Sequence, residues 1–179
     1  GLIVTDNADW HEWLESYKRF GVGRATEREG AEFVRFGTNC KLSDILAAVG
    51  VAQFERIDEL LTRRRELAGR YIELLDGVEA ARLPQVPDGG VHSYQTFCVT
   101  VPQAGPVIRH MRERGIEAQI GTYALHRHSA FASGPTCRRH GELRNSRAAF
   151  DTTVALPLYL EMTDDDQDRV VAELTSALK

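Results

Sequence analysis

The residues of this 179-residue sequence whose types could do chemistry fall in two places. The first is the polar segment Gly37-Thr38-Asn39-Cys40-Lys41-Leu42-Ser43-Asp44, just ahead of a helical run. Asn39 there either closes the turn before the helix or touches a ligand. Backbone amides at the helix start near Ser43 favour an anion, while the Asp44 carboxylate opposes one placed directly on the helix axis. Nothing in the segment could carry a full reaction alone. The second place is residues 126–147. His126, His128, Cys137 and His140 are zinc-competent types within 15 residues, but their spacing matches none of the common structural zinc patterns. The rival reading is a histidine-rich surface loop with one buried cysteine. Arg138, Arg139, Arg144 and Arg147 either meet an acidic group such as a nucleotide diphosphate or form a solvated face.

The elements that must position these residues follow from periodicity. Leu2-Ile3-Val4-Thr5 reads as a strand. Asp6 to Asp9 offer N-cap side chains, and Trp10, Trp13, Leu14 and Tyr17 recur at helical spacing up to an end near Gly21-Val22-Gly23. These aromatics belong to a core or an interface. Residues 22–36 form a surface loop. Ser43 caps a helix whose first turns are thin, with Ala47, Ala48, Gly50 and Ala52, so that another backbone can approach closely. The helical run reaches about Leu75, straight or kinked, with Arg63-Arg64-Arg65 as a solvated face. Pro84, Pro87, Gly89 and Gly90 mark a turn region. Beyond it the order is a strand over 92–101, a short helix from Pro106, a strand over 115–120, an irregular stretch over 121–140, a helix over 144–150, a strand over 153–156, and a final helix capped by Thr163. That order predicts an α+β layer, a small mostly antiparallel sheet with helices on one face.

Composition bounds the class. Hydrophobic residues at 42% and charged residues at 27% are ordinary for a soluble globular domain. A net charge of −4 gives no electrostatic reason to bind nucleic acid or anionic membrane. No apolar run approaches the roughly 20 residues of a membrane span. Cys40, Cys98 and Cys137 are odd in number and far apart, which argues against a disulfide framework and for a reducing, cytoplasmic setting.

Four blocks in register resemble the C-terminal half of the pyridoxal-phosphate-dependent nucleotide-sugar aminotransferases of the DegT/StrS family. Gly1-Leu2-Ile3-Val4-Thr5-Asp6 resembles the strand after that family's cofactor-lysine loop. Gly37 to Asp44, with Ala47-Ala48 and Gln53, resembles its G-x-N-x-[RK]-[ML]-x-[DE] segment and following helix. Gly121-Thr122-Tyr123-Ala124-Leu125-His126 resembles its substrate-side loop, with Thr122 near where many members carry His. Ala155-Leu156-Pro157-Leu158-Tyr159 and Met162-Thr163-Asp164-Asp165-Asp166-Gln167 resemble its closing strand and helix.

The resemblance implies the aspartate-aminotransferase fold (fold type I), of which this would be the C-terminal small domain with its connecting helix. It implies a homodimer with active sites at the subunit interface, and transfer of an amino group, usually from glutamate, to a nucleotide-linked keto sugar. Some members dehydrate instead. Carried over, it makes Asn39 a ligand of the cofactor phosphate and Lys41, Tyr123 and His126 substrate-side residues. The Schiff-base lysine is expected upstream of Gly1, so no catalytic residue is assigned in this chain, and the chain alone is expected to be inactive, the C-terminal part of a larger protein. Its other lysines are Lys18, on the polar side of a helix, and Lys179 at the end. On this reading residues 1–36 end the large cofactor-binding domain, 37–83 carry the cofactor loop and connecting helix, and 84–179 form the small domain. The alternatives are a non-catalytic binding or dimerisation module of the same fold, and a small zinc domain built on His126, His128, Cys137 and His140.

Overall fold

The computed structural model describes residues 1–23, 30–132 and 138–179. The chain divides into two compact units, Gly1–Glu55 and Arg56–Lys179.

In the first unit, α1 (Ala8–Tyr17) starts where the Asn7 side chain accepts from the Trp10 amide at 3.0 Å. It ends at Lys18, a turn earlier than the Gly21-Val22-Gly23 signal suggests, because Phe20 and Gly21 both take positive φ and reverse the chain. Residues 33–40 then run back along the helix end as an antiparallel pairing. Thr38 donates to the Tyr17 carbonyl at 2.9 Å, Cys40 to Lys18 at 3.1 Å, and Phe20 to Thr38 at 3.1 Å. Residues 1–5 carry no strand, and Leu2, Ile3 and Val4 are exposed. A β-branched run becomes a strand only with a ladder partner, and the described residues supply none.

Ser43 caps α2 (Asp44–Phe54), its hydroxyl accepting from the Leu46 amide at 3.4 Å. This helix is apolar on every side and buries no residue within the chain. The expected single run to Leu75 is two helices: the backbone leaves the α conformation at Arg56, and α3 (Ile57–Leu74) follows.

The second unit is built around β1 (Phe97–Thr100), β2 (Gln119–Ile120) and β3 (Thr153–Leu156), in the order β1-β3-β2 with both neighbours antiparallel to β3. β1, α4 (Ala104–Glu113) and β2 thus form a split β-α-β unit with β3 inserted. α5 (Ser129–Ala132), α6 (Arg144–Thr152) and α7 (Asp164–Ala177) complete it. The alternation expected for β1 is present: Phe97, Val99 and Val101 are buried while Cys98 and Thr100 are half-buried. Phe97 pairs with Leu156 and Val99 with Val154 in register. All four join Leu67 and Tyr71 of α3, Met111 of α4 and Leu174 of α7 in one core.

Polar groups tie the elements together. The buried Tyr71 hydroxyl donates to the Pro157 carbonyl at 2.9 Å, and burial pushes its pKa well above the phenol range. Buried Gln167 donates to the Leu67 carbonyl at 2.9 Å. The Arg63-Arg64-Arg65 run is a clamp on backbone carbonyls, not simply a solvated face. Arg63 holds Leu160 at 3.2 Å and Met162 at 2.9 Å, Arg64 holds Tyr94 and Gln95, and Arg65 holds His92. Consecutive residues on a helix point about 100° apart, so three arginines in a row reach loops on different sides. Thr163 caps α7 in a full capping box with Asp166, whose carboxyl is held below the usual range by the Thr163 hydroxyl and amide.

Two substitutions separate packing from hydrogen bonding in this core. Phe97→Ala should cost about 3–5 kcal/mol in urea denaturation. Tyr71→Phe, which leaves the Pro157 carbonyl short of one donor, should cost about 1–2 kcal/mol with an unchanged denaturant slope.

Because Asp166 has a depressed carboxyl pKa, its contribution is present above the unfolded value near 4 and is lost as pH falls through the folded value. The melting temperature of Asp166→Asn should therefore lie below wild type at pH 7 and converge with it in acid.

Candidate functional site

Asn39 is exposed, yet its backbone is fixed on both sides by the amides of Thr38 and Cys40 and by its bridge to Arg19. Its side-chain Oδ1 accepts from the Lys41 amide at 3.4 Å. That is the local turn closure anticipated for an asparagine here, and it uses only the acceptor end of the carboxamide. Among the described residues the two N–H donors have no acceptor. The Lys41 ammonium lies 5.5 Å from the centroid of the Phe20 ring, so the same loop presents a cation whose direction is set by an aromatic face. Phe20 is the residue that sequence reasoning missed here. Its signal was its place before Gly21, where the chain reverses and the ring is turned toward the returning strand.

Gly37 sets this geometry. A Cβ there would lie 2.6 Å from both the Phe20 carbonyl carbon and the Tyr17 carbonyl oxygen. Gly37→Ala should break the pairing. Amide exchange at Thr38 and Cys40 should accelerate at least tenfold, while protection in α7 stays at its wild-type level.

In the second unit the loop after β2 carries Tyr123 and His126. Gly121 leads it off by donating to Thr153 at 3.0 Å, and a Cβ at this glycine would lie 2.7 Å from the Thr153 hydroxyl oxygen and 3.2 Å from the Cys98 sulfur. Burial raises the Cys98 thiol pKa, which makes it a packing group rather than a nucleophile. Ala124 is fully buried and accepts from the Arg127 amide at 2.8 Å in a 3₁₀ turn over Leu125–Arg127. Tyr123, His128 and Phe150 gather with ring centroids 5.8 to 6.3 Å apart. The Arg127 guanidinium covers Phe150 at 4.9 Å and is ion-paired to Asp151.

His126 is half-buried, and its Nε2 is shielded from water without a hydrogen-bond partner. Arg139 donates to the carbonyls of His126 at 3.0 Å and Phe131 at 3.2 Å. Burial, followed by the charges of Arg139, Arg147 and Arg127, lowers the imidazole pKa and so favours the neutral ring. Of the four arginines singled out in the sequence, Arg139 and Arg147 therefore belong to His126. Arg144 is paired with Glu142, and Arg138 is exposed. Phe150 and Arg127 had not been singled out. Arg147 and Phe150 stand three apart on α6, a spacing that places both on one face and that could have flagged the pair.

The zinc alternative draws on Cys137. Cys137 lies outside the described residues, and among the described residues no three histidine, cysteine or acidic side chains are grouped to hold a metal ion. The charges of Arg139, Arg147 and Arg127, which lower the His126 pKa, also oppose a cation there.

The sheet and helices just described match solved aminotransferases. The aminotransferase TlmJ from Streptoalloteichus hindustanus is 27% identical with a TM-score of 0.79, over 97% of this chain and 46% of that one. The sugar aminotransferase CalS13 from Micromonospora echinospora is 25% identical with a TM-score of 0.80, over 97% and 46%. The sugar aminotransferase Spr1654 from Streptococcus pneumoniae, described as putative and solved in its PMP-form, shares the fold at 18% identity, with a TM-score of 0.76 over 99% and 47%. The chain thus spans about half the length of the solved structures it matches. The model of the DegT/DnrJ/EryC1/StrS aminotransferase family matches residues 1–175, and the chain belongs to that family. The family is one of pyridoxal-phosphate-dependent enzymes. The exposed Asn39 amide with two free donors and the neighbouring Lys41 cation are a donor set that suits the phosphate of such a cofactor. Lys18 is ion-paired to Glu15, so the residues seen here fit the phosphate end of the group and not its imine.

Proposed function

We propose that this chain is the C-terminal part of a pyridoxal-phosphate-dependent sugar aminotransferase that moves an amino group, from glutamate, to a keto sugar carried on a nucleotide. Family membership carries the reading, and the single structural observation behind it is the pinned Asn39 backbone with its unpartnered carboxamide donors. When bound, the cofactor supplies the electron sink that amino transfer needs. The chain's own residues do other work. Asn39 donates to the phosphate, and Lys41 offsets its charge. Tyr123 and His126 line the side where the sugar enters.

The homodimer is part of the proposal. In α2, Ile45, Leu46, Val49, Val51 and Phe54 are all more than half exposed within the chain. A helix apolar on every side is buried in a working protein, which supports a covering surface from further polypeptide of the same enzyme or from a second subunit. The division of labour expected from the sequence, with residues 1–36 completing a large domain, 37–83 the cofactor loop and connecting helix, and 84–179 the small domain, belongs to this proposal, as does a cytoplasmic location. Among the described residues no helix is long and apolar enough to cross a membrane.

The test is 2-oxoglutarate release from glutamate in the presence of pyridoxal phosphate and a nucleotide-linked 4-keto sugar. The 179-residue chain alone should stay at the background of free cofactor, since Lys18 is ion-paired to Glu15 and the family resemblance assigns the imine to neither Lys41 nor Lys179. Joined to a segment carrying the cofactor lysine, it should turn over. Asn39→Ala in that protein should weaken cofactor retention about 10- to 100-fold, the range for losing a hydrogen bond to a charged group. Unchanged retention would remove Asn39 from the phosphate site.

A further inference from the structure

We infer that the first unit carries a binding site for a small aliphatic α-amino acid, in the cavity between α1 and the residues that return along its end. Ser16 and Arg35 take the carboxylate, Glu12 takes the ammonium, and Val22 and Val34 take the side chain. The inference goes beyond the sugar-aminotransferase reading and uses none of the residues assigned to it.

Three observations carry it. First, one face of α1 forms a wall. Glu12, Ser16 and Arg19 follow one another at helical spacing, and together with Val22, Val34 and Arg35 they line a cavity of about 520 Å³. Cavities of that size fall in the range of small-molecule sites. Second, two polar groups of the lining residues are shielded from water without a hydrogen-bond partner, the Ser16 hydroxyl and Nη1 of Arg35. Ser16 is 6% exposed, and its hydroxyl does not take the carbonyl one turn back, the usual outlet for a serine in a helix. A shielded group of this kind is costly unless a ligand satisfies it. Both residues are held in place. The Ser16 carbonyl accepts the Gly21 amide at 2.8 Å, and a Cβ at Gly21 would collide with the Arg35 carbonyl, so the chain reversal brings the two residues to one cavity. The Arg35 guanidinium lies 5.8 Å from the Trp13 ring centroid, and that ring stacks on Tyr17 at 4.9 Å. Third, the charges of the lining are mixed. Glu15 is ion-paired to Lys18, which leaves Glu12 as a carboxylate without an ion pair among the described residues, in the same lining as Arg19 and Arg35. A simple anion would be opposed by Glu12 and a simple cation by the guanidinium groups. A zwitterion suits both: its carboxylate accepts from Ser16 and Arg35, and its ammonium donates to Glu12, one turn before Ser16 on the same face. Val22 and Val34 add apolar wall for an aliphatic side chain. A ligand that bridges Ser16 and Arg35 ties α1 to the segment that goes on to Asn39, so binding also slows the opening of that pairing.

The experiment is calorimetric titration of the protein with L-leucine, with 4-methylpentanoate, which lacks the ammonium, and with 3-methylbutylamine, which lacks the carboxylate. Leucine should bind, and each analogue should bind about 10- to 100-fold more weakly. Ser16→Ala and Arg35→Gln should each weaken leucine about tenfold or more. Glu12→Gln should weaken leucine by a similar factor and should not weaken 4-methylpentanoate. Arg144→Gln, whose guanidinium pairs with Glu142 in the second unit, should stay within about twofold. Leucine at about ten times its Kd should slow amide exchange at Val34 and Thr38 about tenfold and leave α7 unchanged. No leucine binding in the millimolar range, analogues that bind as tightly as leucine, or leucine affinity untouched by both Ser16→Ala and Arg35→Gln would each overturn the site. So would binding that is lost once the chain is joined to its cofactor-lysine segment, because the cavity is then covered by that polypeptide. The two readings fail separately. Leucine binding through these residues in a joined protein that never releases 2-oxoglutarate removes the aminotransferase reading and keeps the site. Amino transfer by a joined protein that binds no leucine removes the site alone.

Discussion

The pairing of β3 with both of its neighbours is the constraint on which the second unit depends. β3 has only four residues, and each does two jobs. Val154 and Leu156 face the core opposite Val99 and Phe97, so they fix where α4 and α7 can pack. Thr153 and Ala155 face the other way, and there Thr153 accepts the amide of Gly121 and leaves no room for a Cβ on it. The first residue of the loop that carries Tyr123 and His126 is therefore placed by the strand that closes the core. Strand side chains alternate with a period of two, so a slip of one residue would bury Thr153 and release Gly121. Core packing and loop placement are in this sense a single choice of register.

The first unit solves the same problem with less material. Among its described residues there is no sheet, and Ser16 is the only buried residue of α1. The backbone pairing between the end of α1 and residues 33–40 takes the place of a core. Hydrogen bonds among exposed backbone groups are individually worth about 1 kcal/mol. A segment held this way gains little from apolar burial and keeps large hydrophobic side chains outside, as α2 and residues 2–4 show. That imbalance is the physical basis for proposing that this unit is completed by other polypeptide surface.

Where a rule concerns nearest neighbours in the chain, the sequence was readable. Asn7, Ser43 and Thr163 cap helices because their side chains reach amides two or three residues on, and the alternation in β1 and β3 reports one buried face. Where the outcome depends on distant partners, it was not. Residues 2–5 have the composition of a strand and lack a ladder. The break at Arg56 has no glycine or proline to announce it. Arg63, Arg64 and Arg65 looked like a solvated face because the carbonyls they hold are 27 to 99 residues away in sequence. Asn39 and His126 were singled out through family resemblance, whereas Phe20 beside Lys41 and Arg127 over Phe150 come into view only when loop and helix are brought together.

The electrostatics of the chain follow the same division between local and global. Its net charge of −4 gives no general attraction for anions, and composition alone argues against a polyanionic partner. Yet the charges of Arg139, Arg147 and Arg127 add to burial in lowering the pKa of one histidine, His126. Screening over about 8 Å at physiological salt confines such a field to the cluster itself. A locally basic cluster on a chain of net negative charge does not gather nucleic acid or membrane, because those need charge spread over tens of ångströms. The local field comes from arrangement, and the net charge of the chain neither provides it nor prevents it.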